Sequence, residues 1–201
     1  LFEHRLGKPC TYWNENDPSK STWDWSNLDL LVRRIFETGA EPFVVLGFYS
    51  WTYDRLSSAP SGMNTNWNNT NLPSPETWAA YCKEWVKHFK TVNLPVRYYQ
   101  VLHEPHHYFG WGGSNTTRFN AFVKCFNAAA KAMRQENLNV LVGNDNSMVL
   151  KVLTAMLDRG TTLDFLSWHA YLGRDKSESD SSLIYKAEYN EGVTYGPEDF
   201  I

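Results

Sequence analysis

An α/β fold of the (β/α)8 barrel kind is what this sequence predicts, and three observations predict it. Short β-rich apolar runs alternate with segments of helical period, the order that builds a parallel sheet. Two of the runs, EPFVVLGF and LDFLSWHAY, are almost continuously apolar, as strands covered on both faces are. Several runs end in residues with chemistry to offer: Phe48-Tyr49, His103-Glu104, Asn144-Asp145, His169-Ala170-Tyr171 and Glu188-Tyr189-Asn190. In a barrel every strand's C-terminal end opens on one mouth, where active sites sit. An open doubly wound sheet would carry a glycine-rich phosphate loop after its first strand, and neither GxGxxG nor GxxxxGK[ST] occurs.

Taken in order, strands are expected over 1–6, 42–49, 96–102, 139–142, 163–169 and 184–189. Helices are expected between them. The first covers 26–38, with Ser26 as N-cap, Asp29 three residues on and Gly39 as the stop. The second covers 75–89, with Trp78, Tyr81, Cys82, Trp85 and Phe89 on one stripe. The third and fourth cover 117–137 and 147–159, the last ended by Gly160. A full barrel takes about 250 residues, and this chain has 201. One incomplete TIM-barrel domain over 1–201 is therefore expected, lacking a strand at either end. Only LGRDKSESDSSL joins Tyr171 to Ile184, the bare minimum for a parallel crossover, so a segment is also expected to be missing near Ser182-Leu183.

Composition narrows the function. Lys and Arg total 19 against 22 Asp and Glu, a net charge of −3, which argues against nucleic acid as a partner. No apolar run reaches the ~18 residues of a membrane span, and the opening LFEHRLGKPC lacks a charged-then-apolar leader. Three cysteines are too few for a disulfide framework. Cys82 and Cys125 read as buried hydrophobes on helix faces, and Cys10 as a neighbour of the pocket. Aromatic residues make up 15% of the chain, many beside amides and carboxylates: YWNEN, TWDWSN, YSWTYD, NTNWNN, HYFGWGG. Flat rings beside hydrogen-bonding groups suit a sugar, though the same rings also pack well in a core. Asn68-Asn69-Thr70 and Asn115-Thr116-Thr117 are glycosylation sequons, meaningful in an extracellular or lysosome-like compartment.

The strongest local signal is YYQVLHEPHHYFGW, where a β-run delivers Glu104 and Pro105 marks the strand's end. The second is IYKAEYNEG, where another short strand delivers Glu188. Carboxylates on two strand ends are what glycosidic cleavage needs: one protonated acid for the leaving oxygen, one ionised nucleophile or base. No cofactor and no metal is required.

These segments resemble glycoside hydrolase clan A, and within it family 39, the β-xylosidase and α-L-iduronidase group. WDWSNLDLLVRRIFETGAEPFVVLGF is similar to that family's helix and strand ending in PFVELGF. VLHEPHHYFGW resembles its WNEPN acid/base segment, ENLNVLVGND its LKVGGP, LDFLSWHAYL its DFVSxHAY, and YKAEYNEG its ITEYN. The resemblance implies a barrel of which this chain holds about the second to seventh strands. It implies Glu104 as general acid/base, Glu188 as nucleophile, and retention of configuration. His4, on the family's second strand, and His169 and Tyr171, after the sixth, come with it. Phe48, Tyr49, Trp51, Trp111 and Trp168 are candidate sugar platforms, and Asn190 a polar contact beside the nucleophile. Two departures stand out. His103 replaces the Asn that contacts the sugar's 2-hydroxyl, and Asn144-Asp145 replaces Gly-Pro, adding polar groups near the mouth.

Two other readings remain at this level. A carbohydrate-binding barrel without catalysis would use the same aromatics, and His103 makes room for it. HEPHH also matches the H-E-x-x-H pattern of zinc peptidases. That pattern needs a helix, and here Pro105 falls inside the required turn while VRYYQVL before it reads as a strand.

Overall fold

Four parallel strands, adjacent in sequence order, form the frame. The computed structural model describes residues 9–14, 16–46, 73–102, 116–145 and 150–167. Within them, β1 (Cys10–Tyr12) and β2 (Thr22–Trp23) make an antiparallel pair. Then come α1 (Ser26–Glu37), β3 (Phe43–Leu46), α2 (Pro75–Thr91), β4 (Tyr98–Val101), α3 (Thr116–Glu136), β5 (Leu141–Asp145), α4 (Leu150–Leu157) and β6 (Leu166–Ser167). The sheet order is β3-β4-β5-β6, every pair parallel. Parallel neighbours in chain order need a crossover each time, and α2, α3 and α4 supply them. The α/β alternation is thus as the sequence predicts. Among the described residues the sheet is open and four-stranded, and the expected strands over 1–6 and 184–189 lie outside them.

The helices follow local chemistry. Pro75 opens α2 with its ring preset for the first turn, and the Ser74 hydroxyl accepts the Thr77 N–H at 3.1 Å. The expected stripe of Trp78, Tyr81, Cys82, Trp85 and Phe89 is buried. On α3 the buried stripe is Phe119, Phe122, Val123, Cys125, Phe126, Ala129, Ala130 and Met133. The two helices pack side by side, and the small Ala pair allows close approach. The Lys90 ammonium closes the contact by donating to the Glu136 carbonyl at 2.8 Å. Gly39 and Gly160 follow α1 and α4 with φ of +82° and +74°, the left-handed stop that the sequence predicts at both positions.

One cap differs from expectation. Ser26 lies inside α1 rather than before it. Its N–H and hydroxyl both donate to Asp24 Oδ1, at 3.1 and 2.6 Å, so the capping carboxylate stands two residues upstream. A second difference concerns β5, expected over 139–142 and found at Leu141–Asp145. Asn137 bends the preceding chain by accepting the Asn139 N–H at 3.0 Å, which delays the strand.

Burial separates the inner strands from the outer ones. Tyr99, Val101 and Val142 are fully covered, whereas Phe43 of β3 and Leu166 of β6 are 41% and 39% exposed. The two apolar runs expected to be covered on both faces are therefore only partly so among the described residues, because they form the outer strands of this sheet. Phe43, Tyr98 and Phe165 share one face, with Phe165 centred 5.3 Å from Phe43 and 6.0 Å from Tyr98. The Phe165 ring crosses β5 at Gly143, where an added Cβ would meet both that ring and its backbone oxygen at 2.5 Å.

The β1–β2 pair was not foreseen in the sequence, and it places the first aromatic motifs in a packing role. Trp23 stacks on Trp25 at 4.9 Å, and Trp25 stacks on His88 at 4.1 Å. Trp13 meets Trp23 and Tyr81 edge-on. His88 Nε2 lies 2.6 Å from Asp29 Oδ1 and ties α2 to α1. Trp13 of YWNEN and Trp23 and Trp25 of TWDWSN thus join the hairpin to the helix layer, while Tyr12 is exposed.

Two connections at one sheet edge are much longer than the rest, while Asp145 reaches Leu150 at that same edge within a few residues. Helix returns to strand within a few residues: Glu37 to Phe43, Thr91 to Tyr98, Glu136 to Leu141, Leu157 to Leu166. Strand reaches helix over a much longer stretch from Leu46 to Pro75, and again from Val101 to Thr116.

Candidate active site

The register aligns the C-terminal ends of all four strands. Leu46 pairs with Val101, Gln100 with Gly143, and Asn144 with Leu166. From this edge the chain runs on into the candidate residues. Leu46 precedes Phe48, Tyr49 and Trp51; Leu102 precedes His103 and Glu104; Ser167 precedes Trp168, His169 and Tyr171. Those residues, together with His4, Trp111, Glu188 and Asn190, lie outside the described residues. Of the segments that carry them, those beginning at 47, 103 and 168 follow directly on the described strand ends.

Three polar side chains at this edge were not singled out in the sequence as a group. Gln100 on β4 and Asn144 on β5 are 3% and 1% exposed. The Asn144 amide nitrogen donates to the Val101 carbonyl at 2.6 Å and to the Leu102 carbonyl at 3.1 Å. An amide NH2 has two hydrogens, so both bonds form together. The Ser167 hydroxyl of β6 donates to Gln100 Oε1 at 2.6 Å and also lies 3.4 Å from the Asn144 carbonyl. The network ties β4, β5 and β6 at one level. The signal was present as polar residues inside otherwise apolar strand ends.

The departure at Asn144 takes a different meaning here. The sequence suggests an extra polar group facing the mouth. The structure turns the Asn144 amide into the backbone of β4, where it is spent on two carbonyls.

Backbone conformation at the same point is unusual. Leu102 has φ of +63°, a left-handed conformation that costs a residue with a Cβ about 1–2 kcal/mol. Its N–H donates to the Leu46 carbonyl at 2.7 Å, and its own carbonyl accepts from Asn144. The chain is held from β3 on one side and β5 on the other, immediately before His103-Glu104.

The opposite edge carries ion pairs instead. Arg97 Nη2 reaches both oxygens of Glu41, at 2.7 and 2.8 Å. Asp164 Oδ2 accepts from Arg134 Nη2 at 2.8 Å and from the Val142 N–H at 2.7 Å. A shallow groove between α1 and β3 is lined by apolar residues, among them Leu28, Val32, Ile35, Val44 and Trp85. It offers no group for chemistry. The run before HEPHH is the strand β4, as the sequence predicts, and HEPHH itself lies outside the described residues.

No family profile matches the sequence, and no curated protein matches it. Solved structures do match. A family GH39 β-xylosidase from Caulobacter crescentus aligns over 77% of this chain with 20% identity and a TM-score of 0.52. A glucosidase from Croceicoccus marinus aligns over 77% with 16% identity, and a GH53 catalytic domain from Ignisphaera aggregans over 80% with 14% identity, each with a TM-score of 0.52. This chain spans 35%, 31% and 47% of those three chains. The fold is therefore one that these glycoside hydrolases share.

Proposed function

We propose that the protein is a retaining glycoside hydrolase whose catalytic pair is Glu104 and Glu188. The supporting observation is the parallel sheet whose aligned C-terminal edge leads from Leu102 straight into His103-Glu104, in a fold shared with glycoside hydrolases. In this reading the strands belong to an incomplete (β/α)8 barrel forming one domain over 1–201, closest in kind to family 39. The substrate is an oligosaccharide, polysaccharide or glycoside.

The chemistry follows from two carboxyl groups. Glu188, ionised, attacks the anomeric carbon while Glu104, protonated, donates its proton to the departing oxygen. Water then cleaves the glycosyl–enzyme ester with Glu104 acting as base. The charge of a neighbouring Glu188 raises the pKa of Glu104 before attack. Esterification removes that charge, so Glu104 ionises when a base is needed. His169 and Tyr171 orient the nucleophile, and His103 stands in for the Asn that contacts the 2-hydroxyl. Phe48, Tyr49, Trp51, Trp111 and Trp168 offer faces for sugar C–H groups, with His4 and Asn190 as polar contacts.

The test is turnover of aryl glycosides by the wild type and by Glu104→Gln and Glu188→Gln. Glu188→Gln is expected to abolish turnover while sugar affinity, measured by calorimetry, persists. Glu104→Gln is expected to slow substrates with poor leaving groups by ~10²–10⁴-fold. A wild type that binds sugar and hydrolyses none would instead make this a carbohydrate-binding barrel, a reading that His103 favours.

A further inference from the structure

We propose that Asn144 is a positioning residue for the acid/base carboxylate. By holding the carbonyls of Val101 and Leu102, it fixes the left-handed turn at Leu102 and so the direction in which the chain departs toward His103 and Glu104. The inference rests on the reading of Glu104 as the acid/base.

The argument starts from Leu102. Two residues other than glycine have positive φ among the described residues, Asn93 and Leu102. Asn93 follows the end of α2, and Asn tolerates this conformation through local hydrogen bonds. A leucine has no such compensation. It keeps a left-handed backbone only where its surroundings over-determine it, and such positions gather at sites of chemistry. The surroundings of Leu102 do so. Its N–H is bound to Leu46 at 2.7 Å, its carbonyl to Asn144 at 3.1 Å, and the preceding carbonyl to Asn144 at 2.6 Å. Leu102 itself is fully buried, so its side chain anchors the turn in the core.

Asn144 suits this task and no simpler one. Burying an amide is unfavourable unless its polar atoms are paired, and an apolar residue would serve packing alone. Only a forked donor on β5 reaches two successive carbonyls of β4. The support behind it is also polar: Ser167, bonded to Gln100 at 2.6 Å, lies 3.4 Å from the Asn144 carbonyl. Three neighbouring strands thereby agree on the exit from β4. A carboxyl two residues beyond that exit inherits its position from it.

A misplaced general acid has a specific signature. Leaving groups that need a proton suffer, and those that depart as stable anions do not. The experiment compares kcat/KM for phenyl and 2,4-dinitrophenyl glycosides, using a panel of mono- and disaccharide donors. It uses the full-length protein as wild type, Asn144→Ala and Asn144→Ser, with folded fraction measured by circular dichroism. For Asn144→Ala the phenyl glycoside is expected to slow by about 10–100-fold, the scale of a ~1 Å misplacement. The dinitrophenyl glycoside should change by less than about threefold on the same scale. Asn144→Ser retains one donor and should fall between, and it carries the test if the alanine variant does not fold. Equal losses on both substrates, or no loss on either, would overturn the positioning role while leaving the glycosidase reading intact. A wild type that turns over no member of the panel would overturn both.

Discussion

Asp24 shows how one side chain can settle where a helix begins. Its carboxylate accepts both the N–H and the hydroxyl of Ser26, and these bonds, the hydroxyl's first, hold its pKa below the ordinary carboxylate value. A lowered folded-state pKa means the ionised form is favoured by folding. The stabilisation is complete above the unfolded value of about 4 and is lost as pH falls through the lower folded value. Asp24→Ala is therefore expected to melt below the wild type at pH 7, with the difference shrinking in strong acid, as calorimetry at the two pH values would reveal. The helix itself was legible from the period of its apolar residues and from Gly39. The cap was not, because Ser26 and Asp24 are both good capping residues and only geometry separates them.

At the scale of elements, the β5–β6 pairing depends on Gly143. Adding a methyl group there would press on the Phe165 ring and on its backbone oxygen, and the backbone cannot turn aside as a side chain can. Gly143→Ala is expected to destabilise the fold by about 1–3 kcal/mol through overpacking. Denaturant titration against the wild type measures this. Strand positions were readable from apolar runs, and α2 from its stripe. The start of β5 was read early because Asn139 and Val140 look like strand while Asn137 folds the chain into a turn. The hairpin of β1 and β2 was hidden because Thr22 and Trp23 are too short a run to show a period. The Trp motifs around it read as sugar contacts for the same reason: a ring beside a carboxylate looks alike in a pocket and in a core.

Over the whole molecule, the two edges of the sheet divide the work. The N-terminal edge holds the Arg97–Glu41 and Arg134–Asp164 pairs, and the C-terminal edge is where the chain runs on from Leu102 to His103-Glu104. Asp164→Ala removes the acceptor of the Val142 N–H and the partner of Arg134, so a loss of about 1–3 kcal/mol in stability is expected. Glycoside turnover per folded molecule should stay at the wild-type level. Denaturation and kinetics on the same preparation check both halves. The parallel sheet and its order followed from the alternation of runs. The proposed pair Glu104 and Glu188 rests on motif and lies outside the described residues, and the Asn144 clamp was not legible, since a sequence does not say which way a buried amide turns.

The unequal connections carry a consequence for how such a protein can change. Segments between helix and strand are short, whereas two of the segments between strand and helix, Leu46 to Pro75 and Val101 to Thr116, are long and the third, Asp145 to Leu150, is not. Length and composition can therefore vary at one rim while the register of β3 to β6 stays as it is. A change of length between Leu46 and Pro75 leaves the register of β3 against β4 to the strands themselves.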